Sequence, residues 1–323
     1  MKKALVAGGA GFIGHHMARR LKAEGYHVTV IDIKKYEYGE VDFCHQFVEG
    51  DLRQYELIYD FVKHTAYDEI YTFACQMGGA GYVFTGENDS DIMHDSALIN
   101  LNLLHALRQT NFKGKVFYSS SACIYPEGLQ SSVLNAGLKE SDAYPANPDS
   151  QYGWEKLFSE RLFSTFARNH GINIRIARFH NIYGPEGTFT GGREKAPAAM
   201  CRKAILSKGE LEVWGDGEQT RSFLFIDDCI DVVRLLMKSN FTEPINIGSE
   251  EMVSINQLAK LAISFTGKEI KIKHVKSNAL GVRGRNSDNT LIRKVLGWEP
   301  KYSLKQGMEI TFNWIKQRYE SAS

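Results

Sequence analysis

Across 323 residues, no apolar run approaches the ~18–20 residues that a membrane span requires. Charge bias is missing as well. The 39 Lys and Arg against 38 Asp and Glu leave a net charge of +1, which excludes a general field for gripping nucleic acid or an anionic membrane. A local basic pocket for a phosphorylated small molecule stays compatible with that balance. The five cysteines, at positions 44, 75, 123, 201 and 229, form no CxxC and no Cys/His grouping with metal-ligand spacing. Neither a disulfide framework nor a metal site is expected from them. The opening Met1-Lys2-Lys3 and the Ala4–Ala7 run stop at Gly8-Gly9, far short of a secretory core, so a cytoplasmic location is expected. There is no internal repeat and no low-complexity tract. What is present is ordinary for a globular chain, 43% apolar and 24% charged, at a length that suits one large or two modest domains.

The first 180 residues alternate two textures. Ala4–Ala7, His27–Asp32, Ile70–Phe73, Val116–Ser119 and Ile172–Ala177 are short apolar runs. Phe12–Glu24, Ile92–Gln109 and Gln151–Asn169 carry helical spacing between them. Such alternation predicts a doubly wound parallel α/β sheet of Rossmann type, with ligands at the carboxyl ends of its strands. From Tyr183 the chain changes: Tyr183–Arg193 holds four Gly and one Pro, a loop signature, and shorter mixed elements follow. The expected division is residues 1–180 as a dinucleotide-binding domain, with 222–247 returning to it. Residues 181–221 and 248–323 then form a smaller mixed α/β substrate domain.

Gly8, Gly11 and Gly14 stand directly after the first run and open the first helix. Glycines there permit a tight turn and let backbone N–H groups and a helix N-terminus reach a pyrophosphate. Phe12 and Ile13 belong to the same turn. The spacing is GxxGxxG, and an ordinary Gly-rich turn has the same composition. Asp32 strengthens the reading: it ends the second run, 18 residues after Gly14, where a carboxylate accepts hydrogen bonds from an adenosine ribose. Asp32 favours NAD, because it repels a 2′-phosphate. Lys34 and Lys35 follow it and read as a solvated turn. Asp51 is either an adenine contact or a plain turn residue.

Tyr152 and Lys156 lie four apart, on one face of a helix. A free tyrosine has a pKa of about 10; a nearby ammonium and an oxidised nicotinamide both stabilise the phenolate, so Tyr152 is expected to act as a base. The pair follows a run ending in Ser119-Ser120-Ser121. With Ser121, Tyr152 and Lys156 resemble the catalytic set of the extended short-chain dehydrogenases/reductases, in which the last two also contact the cofactor.

Within that group the chain resembles the GDP-mannose 3,5-epimerases, from the first strand to about residue 315. The motifs are Ala74–Gly79, Ser119–Pro126, Gly191–Pro197 and Gly281–Asp288, supported by Arg178–Pro185 and Trp214–Arg221. The resemblance implies an NAD-dependent isomerase in which Tyr152 and NAD oxidise the sugar at C4. Cys123 and Lys195 exchange the acidified protons at C3 and C5, and the hydride then returns to C4. A thiol beside a cation readily supplies a thiolate. The resemblance also implies sugar-nucleotide contacts from Gly81, Ser121, Ala122, Cys123, Asn181, Glu194, Lys195, Ala196, Lys203, Gln219 and Arg221. Arg283 or Arg285 completes the set, with a slight preference for Arg283. Guanidinium groups suit a diphosphate. Taken alone, Cys123 reads as a buried thiol, Lys195 as a surface lysine and His180 as a packed histidine. Two departures from the family pattern, the stretch Gly79–Thr85 and Phe189-Thr190, are expected near the sugar pocket. They leave open a C4 oxidase or partial epimerase acting on a GDP-mannose-like sugar or GDP-heptose. A homodimer is expected by analogy.

Overall fold

The computed structural model describes residues 1–277 and 281–321; residues 322 and 323, the end of the expected substrate domain, lie outside the described residues. The first half of the chain runs β1 (Lys3–Ala7), α1 (Phe12–Ala23), β2 (His27–Asp32), β3 (Gln46–Glu49), α2 (Tyr55–His64), β4 (Glu69–Thr72), α3 (Ala80–Val83), α4 (Asp89–Gln109), β5 (Lys115–Ser121), α5 (Gln151–His170) and β6 (Asn173–Phe179). The second half runs β7 (Ile182–Tyr183), α6 (Ala196–Leu206), β8 (Glu210–Trp214), β9 (Thr220–Ser222), β10 (Leu224–Phe225), α7 (Ile226–Lys238), β11 (Ile245–Ile247), β12 (Met252–Ser254), α8 (Ile255–Ser264), β13 (Lys271–Val275), β14 (Gly284–Arg285), α9 (Thr290–Leu296) and α10 (Leu304–Ser321).

Seven strands form one parallel sheet in the order β11-β6-β5-β4-β1-β2-β3. The doubly wound α/β class expected from the alternation is the fold observed. Its strands are covered on both sides, and their period of two deals residues to opposite faces. Ala4, Val6, Val28 and Val30 pack in a cluster with residues of α1 and α7. Leu5, Ile31, Ile70, Val116 and Ile174 pack in a second cluster with residues of α2, α4 and α5. β2 and β3 lie to one side of β1, β4 to β6 to the other. That reversal opens a crevice at the carboxyl ends of β1 and β4, where ligands of such sheets bind.

Beyond β6 the chain builds the rim of this crevice and comes back. β11 pairs with β6 in parallel and becomes the sheet edge. Three small sheets sit outside the main one: β10-β7, β12-β9-β14 and β13-β8. At the amino end of the sheet, Arg234 of α7 is buried against Glu24 and Glu69, at 2.8 and 2.5 Å.

Candidate active site

A cavity of about 620 Å3 runs along the carboxyl edge of the sheet, from the β1–α1 turn to β8 and β14. The turn is shaped by its glycines. Gly8 has φ +81°, and a Cβ there would lie 2.4 Å from the Ala74 nitrogen; a Cβ on Gly14 would lie 2.1 Å from the Gly8 oxygen. The bare backbone is thus a cradle that any side chain would fill. Asp32 faces it, accepting from the Ala10 N–H at 2.9 Å and the Lys34 N–H at 3.1 Å. Burial holds the Asp32 carboxyl above its ordinary value, with those two N–H groups opposing the shift. Each oxygen keeps acceptor capacity for a diol. Lys34 and Lys35 are occupied by Glu37 and Glu49, as a solvated turn would have them. Asp51 lines the cavity but is held bidentately by Arg53, whose hydrogen bonds keep its carboxyl low. Cradle, helix N-terminus and carboxylate together fit NAD.

The middle of the cavity holds the ends of β5 and α5. Ser119 Oγ donates to Thr72 O, and Ser120 Oγ to Glu160, which is buried against Arg178. Ser121 instead accepts from the Cys123 N–H at 3.2 Å and lines the cavity together with Tyr152. α5 starts at the cap Ser150, whose Oγ accepts from the Gly153 N–H. Gly153 lets the helix ride directly on the Cys123 segment, since a Cβ there would sit 2.2 Å from the Cys123 carbonyl oxygen. Lys156 Nζ donates to Ser119 O at 3.0 Å and lies 5.8 Å from the Tyr152 ring centroid. Burial first, then Cys75 and Cys123, push the Tyr152 phenol well above its ordinary value, with Ser121 opposing. Of the two groups expected to stabilise the phenolate, the Lys156 ammonium is in place beside the ring; the other is the oxidised nicotinamide.

Lys195 caps α6 from the Gly191–Glu194 loop and lines the same cavity as Cys123. Burial lowers its ammonium, and Cys123, Cys229 and Cys75 oppose that shift. Cys75, in the motif after β4, also lines the cavity, as Lys156 does. Sequence reasoning passed over it, although its place at the carboxyl end of a central strand was a usable signal. At the far end, Lys203 Nζ stands 5.7 Å from the Trp214 ring centroid, and Gly81 lies against the same ring. Gln219 is nearby, its Oε1 buried without a partner. Arg221 is fixed by the carbonyls of Thr220 and Val282. Burial, then the Arg285 cation, push Arg221 down to about 9, and among the described residues no carboxylate forms an ion pair with Arg221 itself.

Of the residues expected at the site, Gly8, Gly11, Phe12, Ile13, Gly14, Asp32, Asp51, Gly81, Ser121, Ala122, Cys123, Tyr152, Lys156, Asn181, Glu194, Lys195, Ala196, Lys203, Gln219, Arg221 and Arg285 all line this one cavity. Arg283 does not. Its guanidinium pairs with Asp216 at 3.0 Å on the surface, while Arg285 turns inward to Cys123 Sγ at 3.0 Å and Asp149 at 2.6 Å. The structure thus brings Arg285, and not Arg283, to the cavity. Phe189 follows Gly187 and Thr188, which line the cavity. It packs on Trp314 and Tyr319 outside the cavity, whereas Gly79, Ala80, Gly81, Val83 and Phe84 do line it. His180 is fully buried, bonded to Asn246 and lowered to about 3 by burial, a neutral packed histidine. Among the described residues one His/Glu group, His15, His16 and Glu186, has metal-ligand proximity. The Glu186 oxygen in it is already taken by Tyr36 and Arg19.

Residues 4–248 match the NAD dependent epimerase/dehydratase family. The chain is 50% identical over 317 residues to GDP-mannose 3,5-epimerase 1 of Oryza sativa subsp. indica, covering 98% of this chain and 82% of that one. It is 50% identical over 320 residues to GDP-mannose 3,5-epimerase of Arabidopsis thaliana, covering 98% and 83%. Among solved structures, UDP-glucose 4-epimerase of Thermotoga maritima with UDP-glucose shares the fold at a TM-score of 0.85 and 27% identity, covering 98% and 99%.

Proposed function

This chain belongs to the NAD dependent epimerase/dehydratase family, and from that premise we propose that it is a GDP-mannose 3,5-epimerase. The observation that carries the reading is that Tyr152, Cys123 and Lys195 share one cavity with the Gly8–Gly14 cradle and Asp32. Half-identity to two plant enzymes of that name over nearly the whole chain supports the substrate. Gly8, Gly11, Gly14 and Asp32 hold the cofactor. When bound, NAD supplies the hydride acceptor for C4 and a positive ring charge. Tyr152 takes the proton of the C4 hydroxyl, with Ser121 beside it in the cavity. Lys156, anchored on Ser119 O, keeps an ammonium beside the Tyr152 ring.

A ketone at C4 acidifies the C3 and C5 protons. Cys123 removes such a proton from one face as thiolate and becomes a thiol. Lys195 delivers its own proton to the other face and becomes an amine; the carbon is inverted and the atoms balance. Both groups reset through solvent. Desolvation of Lys195 makes that delivery easier, because it disfavours the charged form. Arg221 and Lys203 meet the diphosphate, and Trp214 with Gln219 meets the base.

Two further parts belong to the same reading. A homodimer through α4 and α5 is supported by Met93, Leu101, Trp154 and Phe158, which are large, apolar and exposed on these two adjacent helices. Phe158→Lys should shift the sedimenting species to monomer; a monomeric parent enzyme removes this part. A cytoplasmic location is supported by five unpaired thiols, and cell fractionation tests it.

Proton NMR of GDP-mannose with enzyme and NAD in D2O tests the whole. The expected result is deuterium at C3 and C5 with no accumulation of NADH. Exchange at C5 alone would make it a 5-epimerase, and accumulating NADH without exchange a C4 oxidase. No change in any signal would overturn the substrate.

A further inference from the structure

Side chains from three separate stretches meet behind Cys123. Arg285 reaches in from β14. Its Nη1 donates to Cys123 Sγ at 3.0 Å, its Nη2 to Asp149 Oδ2 at 2.6 Å and its Nε to Gln130 Oε1 at 2.5 Å. The Arg285 and Asp149 side chains are only 6% and 3% exposed. The two partners that flank the sulfur contact are themselves held. Asp149 Oδ1 accepts from Ser150 Oγ at 3.0 Å, and Ser150 caps α5. Gln130 Nε2 donates to the Tyr125 and Pro126 carbonyls. A planar guanidinium with all three nitrogens engaged has one pose.

We propose that Asp149 is a positioning residue for Cys123, holding the Arg285 guanidinium on the sulfur. The proposal rests on the reading of Cys123 as the base and deepens it. Three observations favour it. A buried cation needs a partner, and the Asp149 carboxylate is the only carboxylate on Arg285 among the described residues. Burial alone would push Arg285 down; Cys123 and Asp149 reverse that. Finally, Arg285 pairs in register with Arg221, which among the described residues is held by carbonyls and has no carboxylate partner of its own. A freed Arg285 would be drawn to the substrate diphosphate. Asp149 reserves it for the sulfur and leaves Arg221 to the substrate.

The charged and titratable groups that face Cys123 are Arg285, Arg221, Tyr152 and Lys195. Asp149 acts on it through Arg285. Two effects of removing Asp149 therefore have opposite signs. Loss of the anion alone favours the thiolate; loss of the guanidinium from the sulfur disfavours it. Positioning predicts that the second prevails.

The test is the pH profile of iodoacetamide labelling in the NAD-loaded enzyme. It is read by mass spectrometry on the Cys123 peptide, since Cys75 shares the cavity. Asp149→Ala should move the profile upward by about one unit, giving roughly tenfold slower labelling near neutrality. In an Arg285→Ala background the same substitution should move it downward, because only the anion is then lost. Asp149→Asn keeps an acceptor for Nη2 and should label no more slowly than the parent; it decides the matter if the alanine variant does not fold. A profile that stays put or falls in Asp149→Ala, or slower labelling in Asp149→Asn, would overturn the proposal. Turnover gives an independent reading: Asp149→Ala should lose about tenfold in C5 exchange with KM for GDP-mannose unchanged, and a KM rise with exchange intact would overturn it too. If Cys123→Ser retains full exchange, the base assignment fails, while the labelling data still decide whether Asp149 positions Arg285.

Discussion

Gly153→Ala probes the closest approach at the site. The added Cβ would lie 2.2 Å from the Cys123 carbonyl oxygen, 2.9 Å from its carbonyl carbon and 2.9 Å from Pro148 Cβ. Non-bonded heavy atoms prefer ~3.5–4.0 Å, so the first turn of α5 must retreat from the Cys123 segment by about 1 Å. Two of the three obstacles are backbone, and neither rotates away. Alanine is the better helix former by ~0.8–1.0 kcal/mol, while overpacking costs ~1–3 kcal/mol; a net loss of up to about 2 kcal/mol follows. The effect on catalysis is larger than that on stability, because Tyr152 sits on the retreating turn and Cys123 on the segment left behind. A displacement of that size costs ~100-fold in rate. Urea unfolding and deuterium exchange into GDP-mannose read the two effects separately. Gly128→Ala is the control, because nothing lies within 4 Å of its Cβ position. An alanine variant at 153 that is more stable than the parent and turns over within threefold of it would refute the argument.

Tyr152→Phe should retain NAD binding and lose hydride transfer, seen as absence of the nicotinamide absorbance change on adding substrate; unchanged turnover would remove Tyr152 as the base. Cys123→Ala should keep C4 oxidation while exchange at C3 and C5 stops; equal loss of both would point to packing instead. Lys195 gives a pH dependence. Its proton is present at low pH and lost as pH rises through a value that burial sets below the ~10.4 of an ordinary lysine, so C5 exchange should fall on the alkaline side before that pH, and Lys195→Arg should remove this limb. Arg234→Met leaves Glu24 and Glu69 without their buried cation and should lower the unfolding free energy by ~3–5 kcal/mol with little change in KM; a loss under 1 kcal/mol in denaturant titration would show the cluster to be well solvated.

How much of this was legible in the sequence follows from the range of each constraint. The Gly8–Gly14 turn and Asp32 were readable because the demands on them are local: a positive φ, a cradle without Cβ, a strand end. The strands of the main sheet were readable from apolar runs buried on both faces. β3 has only two half-buried residues and lies at an edge, so no such run marks it. Arg283 and Arg285 are two apart, and a strand period of two puts both on one face. What separates them is tertiary: Gly284 docks against the Ser132 carbonyl, with its Cβ position 2.0 Å away, and Asp216 holds Arg283 outside. Asp149 is 136 residues from Arg285, with no spacing to betray the pair. Phe189 was expected near the pocket; its ring packs on the aromatic side chains of α10, beside the cavity-lining Thr188.

The return of β11 to β6 also sets an order of assembly. Until residue 245 has left the ribosome, β6 is an open edge, with Ile174, Ile176 and Ala177 already committed to the core on both sides of it. Much of the rim of the cavity, from Asn181 to Phe223, lies in the intervening chain. At ~5–20 residues per second, the half-made protein carries an unpaired strand for several seconds. During that interval the dinucleotide cradle near the amino terminus is complete in sequence. A nascent chain that captures its cofactor early would gain a compact core while its most adhesive edge still waits for a partner.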